Sequence, residues 1–230
     1  MNSNNLSKRL KMVAGEVQKG ARIADIGSDH AYLPIHLVKE GIINFAIAGE
    51  VAKGPLSNSE FEIKDQNVQD SVIPRLGDGL DVIQDQDQID TIVIAGMGGI
   101  LIQSILDRNQ GKLKNVKRLV LQPNVGELEL RTWLQNNNFK IVNEKIVAED
   151  RHIYEMIVAE PGNASYSDAE LHFGPYLSAE RNTAYLSKWE RELKRLLKVE
   201  NAMKNSNSHD SNRLKQVQEE VSRVQEMLSK

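Results

Sequence analysis

Between Ala21 and Glu160 short apolar runs alternate with amphipathic stretches until two strand-like runs, "FKIVNEKIVAED" (139–150) and "HIYEMIVAE" (152–160), follow one another with only Arg151 between them. A parallel crossover needs about a dozen residues or more, so these two runs must pair antiparallel. The preceding strands obey the opposite rule. "ARIADIG" (21–27), "NFAIAGE" (44–50), "VIPRLG" (72–77), "DTIVIAG" (90–96) and "KRLVLQ" (117–122) read as strands. Helices are predicted between them at "YLPIHLVKEG" (32–41), from "KGPLSNSEF" (53–61), from about Gly98 to Arg108, and at "GELELRTWLQNN" (126–137). A leading helix places Leu6, Leu10, Val13 and Val17 on one face. The expectation is an α/β chain, a mostly parallel sheet with helices on both faces and an antiparallel pair at its end.

After "AEPGNASYS" the pattern changes. Leu186, Trp189, Leu193, Leu196 and Met203 form one apolar stripe, and Leu214, Val217, Val221, Val224 and Leu228 form a stricter heptad. The polar run "NSNSHDSN" (205–212) joins them, which predicts an antiparallel helical hairpin packed along its own seam and a monomer, with an intermolecular coiled coil as the rival. Two domains are expected, 1–160 and 161–230. Charge divides the same way: residues 181–230 carry eleven Lys or Arg against seven Asp or Glu, whereas the whole chain has a net charge of -3. An acidic body with a basic arm suits a polyanionic partner, and equally a solvated helical surface. No cysteine is present, which suits a cytoplasmic protein. "MNSNNLSKRLKMVAGEV" has no apolar core of a leader, and "TIVIAGMGGILI" is too short and glycine-rich to cross a bilayer, so no membrane partner is expected. The five histidines show no paired ligand spacing and no metal site is expected.

In an open parallel sheet, ligands bind beyond the carboxyl ends of the strands. Those ends carry Asp25, Gly27, Ser28, Asp29 and His30; then Glu50 and Val51; then Gly77, Asp78 and Gly79; then Gly96 and Met97; and finally "QPN" with Asn124. Glu50 stands at a separation from the first strand at which an acidic side chain can accept from both ribose hydroxyls. Asp78 could accept from an exocyclic amine such as adenine N6. Each residue also has a plainer use: turn geometry for the glycines, a helix cap for Glu50, an Asx-turn for Asp78, core filling for Met97. A pyrophosphate cofactor wants GxGxxG, and "GSDHAY" supplies only the first glycine, with Asp29 where the phosphates would lie. A sulfonium cofactor without phosphate tolerates that carboxylate, which favours S-adenosylmethionine over a dinucleotide.

Taken in order, "LSKRL", "ADIGSDHAYLP", "AGEVAKGP", "RLGDGLD", "AGMGG", "LQPN" and "EDRHIYEMI" resemble the TrmK family, bacterial tRNA (adenine(22)-N1)-methyltransferases, from about Leu6 to Glu160. The helical hairpin is similar to that family's C-terminal coiled-coil domain. The resemblance implies a class I methyltransferase, Rossmann-like sheet of seven strands in the order 3-2-1-4-5-7-6. It also implies transfer of a methyl group from S-adenosylmethionine to N1 of one adenine in the D-arm of tRNA, leaving S-adenosylhomocysteine and 1-methyladenosine. Adenine N1 has a free lone pair, so alignment is the main requirement. Asp29 is the candidate catalytic residue, placed to accept from N6 and to stabilise the cationic base; its plainer role is to cap the helix that begins near Ala31. Arg9 is a candidate for the donor's carboxylate or an RNA phosphate, and His30, Tyr32 and Asn124 for contacts to the base. Lys188, Arg191, Lys194, Arg195 and Lys198 are candidates for the tRNA backbone. Two other readings compete: a methyltransferase acting on another RNA or a small molecule, and a nucleotide-binding protein acting through its coiled coil.

Overall fold

The computed structural model describes residues 2–205 and 211–230. Most of the "NSNSHDSN" run, residues 206–210, therefore lies outside the described residues. In chain order the elements are α1 (Lys8–Ala14), β1 (Arg22–Ile26), α2 (Tyr32–Lys39), β2 (Phe45–Glu50), α3 (Lys53–Asp65), β3 (Val72–Leu76), β4 (Thr91–Met97), α4 (Gly99–Arg108), β5 (Arg118–Pro123) and α5 (Glu127–Asn136). They continue with β6 (Phe139–Glu149), β7 (His152–Pro161), α6 (Asp168–Phe173), α7 (Leu177–Glu180), α8 (Thr183–Lys204) and α9 (Ser211–Ser229). Short 3-10 turns at Gly79–Val82, Asp85–Asp87 and Gln110–Leu113 were not anticipated.

All seven strands form one sheet in the order β3-β2-β1-β4-β5-β7-β6. β1 pairs in parallel with β2 on one side and β4 on the other, and β7 runs antiparallel to both β5 and β6. The strand period of two distributes the apolar residues between two cores. Ile92, Ile94, Leu119, Leu121 and Ile157 face α4 and α5, meeting Ile102, Leu106, Leu130 and Leu134. Val93, Val120 and Val158 face the other way, among Val13, Leu33, Leu37 and Ile63 of α1, α2 and α3. With both faces covered, the ends of the parallel strands are the places where polar side chains can gather, and β1 is where the connections diverge.

The chain divides into two units, Met1–Tyr176 and Leu177–Lys230. The boundary expected at residue 160 therefore lies sixteen residues too early. Segment 161–176 is held by side chains of the first unit: the Tyr166 hydroxyl accepts from the Ile141 N–H at 2.8 Å, and Arg131 donates to the Leu171 carbonyl at 3.3 Å. Arg131 is buried between Glu144 and Glu155, 2.7 and 2.6 Å away, and Glu144 also accepts from the Tyr176 N–H. In the second unit α8 and α9 run antiparallel, with Arg181 donating to the Met227 carbonyl and Gln218 to Glu200. Among its described residues the buried side chains are Leu177, Tyr185, Trp189, Leu196, Val221, Val224 and Met227, so Tyr185 and Met227 take the places expected of their neighbours Leu186 and Leu228.

Candidate active site

The turn leaving β1 is left-handed for most of its length. Gly27 has φ 72°, and the three residues Asp29, His30 and Ala31 have φ 38°, 66° and 54°. Side chains avoid this region, so the turn must be held from outside. The Gly27 and Ser28 N–H groups both donate to the Gly49 carbonyl, at 2.9 and 3.2 Å. The Asp29 N–H donates to Glu50 at 2.5 Å, and the Ser28 hydroxyl to Asp25 at 2.5 Å. Ala31 is the N-cap of α2 and no side chain caps it, so Asp29 does not serve as the cap. Its carboxylate is instead 77% exposed, 3.8 Å from His30 Nε2, and the His30 ring stacks on Tyr32 with centroids 5.1 Å apart.

Behind this exposed carboxylate are two buried ones. Glu50 is 5% exposed and Asp25 4%. Burial pushes Glu50 above the usual carboxylate range, and it pushes Asp25 up to about 7, with the charge of Glu50 adding to the shift while the Ser28 hydroxyl and Arg9 oppose it. Glu50 does not cap α3, whose N-cap is Ala52. Glu50 Oε2 and Asp25 Oδ1 have no hydrogen-bond partner among the described residues. Neither oxygen is among the fully buried partnerless atoms of the described residues, so each keeps a solvent-accessible face that a ligand or water can meet. Val51, next in the chain, is 70% exposed.

The remaining strand ends close around the same turn. Gly27 is held at φ 72°, where a side chain is strained, with the flexible end of Met97 against it; Met97 itself packs on the core, in line with its core-filling reading. The Gly77 N–H donates to the Glu50 carbonyl, and Gly79 has φ 59°. Asp78 does not form a capping hydrogen bond, and its carboxylate is forked onto Arg108 at 2.6 and 3.0 Å, which holds its pKa below the usual range. The amine acceptor expected from the sequence is thus shared with a cation thirty residues away, and no local motif announces Arg108.

Arg9 reaches this region from α1. The Lys8 and Arg9 N–H groups donate to the Glu149 carboxylate, which anchors the helix start to the end of β6. The Arg9 guanidinium lies over Gly96, 5.5 Å from the Tyr154 ring centroid, and donates to Gln122 at 2.7 Å. Gln122 also accepts from the Gly96 N–H and donates to Pro123 and Asn124, and Asn124 donates to the Gly96 carbonyl. Gln122 and Tyr154 were missed from sequence, although "QPN" marks the position of the first. Five of the candidate strand-end segments and Arg9 are therefore in one neighbourhood. The basic candidates belong to the second unit: on α8, Arg191, Lys194, Arg195 and Lys198 are exposed and Lys188 is half-buried against Trp189. Arg195 is paired with Glu192 at 2.6 Å. Among the described residues no group of three or more His, Asp and Glu is placed to hold a metal ion, and no helix is long and apolar enough to cross a membrane.

A doubly covered sheet with this strand order, a single-glycine turn after β1 and an acidic residue ending β2 defines a Rossmann-like methyltransferase. The chain belongs to the TrmK family of tRNA (adenine(22)-N(1))-methyltransferases, whose family model matches residues 23–226. It is 42% identical over 199 residues to the tRNA (adenine(22)-N(1))-methyltransferase of Bacillus subtilis, covering 84% of this chain and 83% of that protein. The structure of Streptococcus pneumoniae Sp1610 in complex with S-adenosyl-L-methionine superposes with a TM-score of 0.90 at 41% identity, covering 97% of this chain and 100% of the other. M. capricolum TrmK in complex with S-adenosyl-homocysteine superposes with a TM-score of 0.87 at 26% identity, covering 97% of this chain and 98% of the other.

Proposed function

We propose that this chain methylates N1 of adenine 22 in the D-arm of tRNA, using S-adenosylmethionine, and that the first unit carries the chemistry while the basic arm of the second holds the tRNA backbone. The donor fits the residues present: Glu50 and Asp25 each keep one carboxylate oxygen without a hydrogen-bond partner, and among the described residues no cluster of cations at this turn awaits a pyrophosphate. Glu50 is the acceptor for the ribose hydroxyls. Gly27, Ser28, Gly77, Asp78, Gly79, Gly96, Met97 and Val51 line the remainder, and Arg9 faces the donor's carboxylate. When bound, S-adenosylmethionine supplies an electrophilic methyl carbon on a sulfonium sulfur.

Adenine N1 needs no base to become a nucleophile, because its lone pair is outside the aromatic sextet. The protein's task is to align N1 with the methyl carbon and to meet the positive charge that the ring acquires when the N1–C bond forms. Asp29 does the second: its carboxylate accepts an N6 hydrogen, stabilises the cationic ring and can carry an N6 proton to solvent. His30 and Tyr32 present a stacked pair beside it for the base. A stacked adenine must be extruded from folded tRNA before N1 is reachable, which an exposed rather than buried carboxylate suits. The hairpin seam is filled from within the chain, which supports a monomer, and a tRNA substrate supports a cytoplasmic location.

The observation that carries the catalytic assignment is the exposed Asp29 carboxylate, held out by a left-handed turn and not used as a helix cap. Asp29→Ala should abolish methyl transfer to unmodified tRNA transcript, mapped by a reverse-transcription stop, while calorimetric donor binding survives. Near-normal turnover would remove Asp29 from the mechanism. Methylation at another position would leave the donor site in place and overturn the substrate.

A further inference from the structure

Gln122 stands next to last in β5 and is fully buried, a polar side chain with no access to solvent. Both ends of its amide are committed. Oε1 accepts from the Gly96 N–H at 3.0 Å and from Arg9 Nη1 at 2.7 Å. Nε2 donates to the Pro123 carbonyl at 2.7 Å and to Asn124 Oδ1 at 3.2 Å. Two of these partners are main-chain groups whose sense is fixed. Turning the amide over would set N–H against N–H at Gly96 and oxygen against oxygen at Pro123, leaving both buried groups unsatisfied.

The sense of Gln122 dictates that of Asn124. Oδ1 of Asn124 accepts from Gln122, and Nδ2 donates to the Gly96 carbonyl at 2.8 Å, while the Asn124 backbone N–H donates to the Met97 carbonyl at 2.7 Å. A carboxamide has two N–H donors and two oxygen lone pairs. One of each remains on Asn124, whose side chain is exposed. We infer that this remaining pair grips the N6/N7 edge of the target adenine, Oδ1 accepting one N6 hydrogen and Nδ2 donating to N7, and that Gln122 is the positioning residue that sets its sense.

The inference rests on the reading of the site as an adenine N1-methyltransferase and adds how adenine is recognised. N1 must keep its lone pair for the methyl carbon, so no donor can hold the base there. The N6/N7 edge is the other place where adenine shows a donor beside an acceptor, and a carboxamide matches it in bidentate fashion. N6 carries two hydrogens. The one beside N1 belongs to Asp29 and the one beside N7 to Asn124. Guanine would turn its O6 lone pairs toward Oδ1 and be rejected. β4 alone separates β1 from β5, so the two strand ends are roughly 10 Å apart at about 4.8 Å per strand, and side chains reaching in from the two ends can converge on one N6 amine between them. Met97 links them, its Cε against Gly27 and its carbonyl on Asn124.

The experiment is a cycle between protein and base, run on the full chain with tRNA transcripts carrying adenosine or 7-deazaadenosine at the target position. Removing N7 should lower kcat/KM of the unsubstituted enzyme on the order of tenfold. Asn124→Ala should lose a similar factor on adenosine and lose nothing more on 7-deazaadenosine. Gln122→Glu keeps the acceptor toward Gly96 and Arg9 but sets oxygen against Asn124 Oδ1, so it too should become indifferent to N7. Asn124 is exposed, and its variant carries the test even if the buried Gln122→Glu does not fold. An equal 7-deaza penalty in the unsubstituted enzyme and Asn124→Ala, or no penalty in either, would overturn the inference while N1 methylation of the adenosine transcript upholds the activity. Absence of methylation on that transcript would overturn the activity itself and this inference with it.

Discussion

Asp25 is the side chain whose replacement has the most calculable consequence. It is buried beside Glu50, and its carboxyl is pushed from 3.8 up to about 7 by loss of solvent, with Glu50 adding and Ser28 and Arg9 opposing. Because the folded pKa lies above the unfolded one, the folded protein holds a proton that the unfolded chain has released. Stability is therefore lost as pH rises from about 4 to about 7 and is level above that, with a limiting slope of about 1.36 kcal/mol per pH unit. Between pH 5 and pH 8 this single group costs about 2–3 kcal/mol. Asp25→Asn preserves the shape and removes the titration. The variant should gain on the unsubstituted protein by about that amount between pH 5 and pH 8, apart from the smaller reciprocal change at Glu50, whose charge is coupled to Asp25. Urea unfolding at several pH values, followed by tryptophan fluorescence, reads the gap directly. Two stability curves that stay parallel across that range would refute the electrostatic reasoning. The gain in stability should be accompanied by weaker donor binding, since the carboxylate that destabilises the empty fold is one that a sulfonium ligand favours.

Arg131→Met should destabilise the first unit by about 3–5 kcal/mol, because Glu144 and Glu155 would remain buried without their cation; the deficit should shrink as pH falls and the carboxylates take up protons, which thermal unfolding at pH 5.5 and pH 8 would show. Gly99→Ala would set a Cβ 2.0 Å from the Gly126 carbonyl oxygen, backbone that cannot turn aside, so a loss of about 2–3 kcal/mol in denaturant unfolding is expected together with lost activity. Reversing three exposed charges of α8, Arg191, Lys194 and Lys198, to glutamate should weaken tRNA binding and flatten the dependence of log K on log salt by about 2–3, measured by filter binding; an unchanged slope would take the arm out of the interface.

The sheet was legible because its strands are apolar runs closed by glycine or polar turns, and because the one-residue link at Arg151 permits only an antiparallel pair. The carboxylates at the strand ends were legible for the same reason: Asp25, Asp29 and Glu50 stand where an apolar run stops, and a parallel sheet leaves little else there. What stayed hidden depends on pairing through space. Arg108 meets Asp78, Arg9 meets Gln122 and Arg131 meets two glutamates across separations that no periodicity records. The Arg131 cluster is also why the first unit runs to Tyr176: "SYSDAELHF" looks polar enough for a linker, yet its backbone carbonyls are what the buried guanidinium needs. In the hairpin the stripes were read to within one residue, because a helix face about 100° wide accepts Tyr185 or Leu186 at its edge and only packing selects between them.

The left-handed turn after β1 shows how the site obtains its geometry. Left-handed backbone costs on the order of 1 kcal/mol or more for each residue with a side chain, and three such residues follow one another here. Ser28 and Asp29 are both good helix caps, and either could have relieved the turn by capping α2. Neither does. The Ser28 hydroxyl is turned back to Asp25, Asp29 offers only its N–H to Glu50, and α2 starts on the buried Ala31 with no side-chain cap. Local stability is given up, and the Asp29 carboxylate stays exposed beside His30 instead of capping the helix. The device that holds it is Glu50, whose one oxygen fixes the Asp29 N–H while the other has no hydrogen-bond partner among the described residues. A hydroxyl bound to that second oxygen would fix Glu50, and through it the Asp29 turn, so that under the proposed function filling the donor side of the site would also set the carboxylate proposed to meet the base.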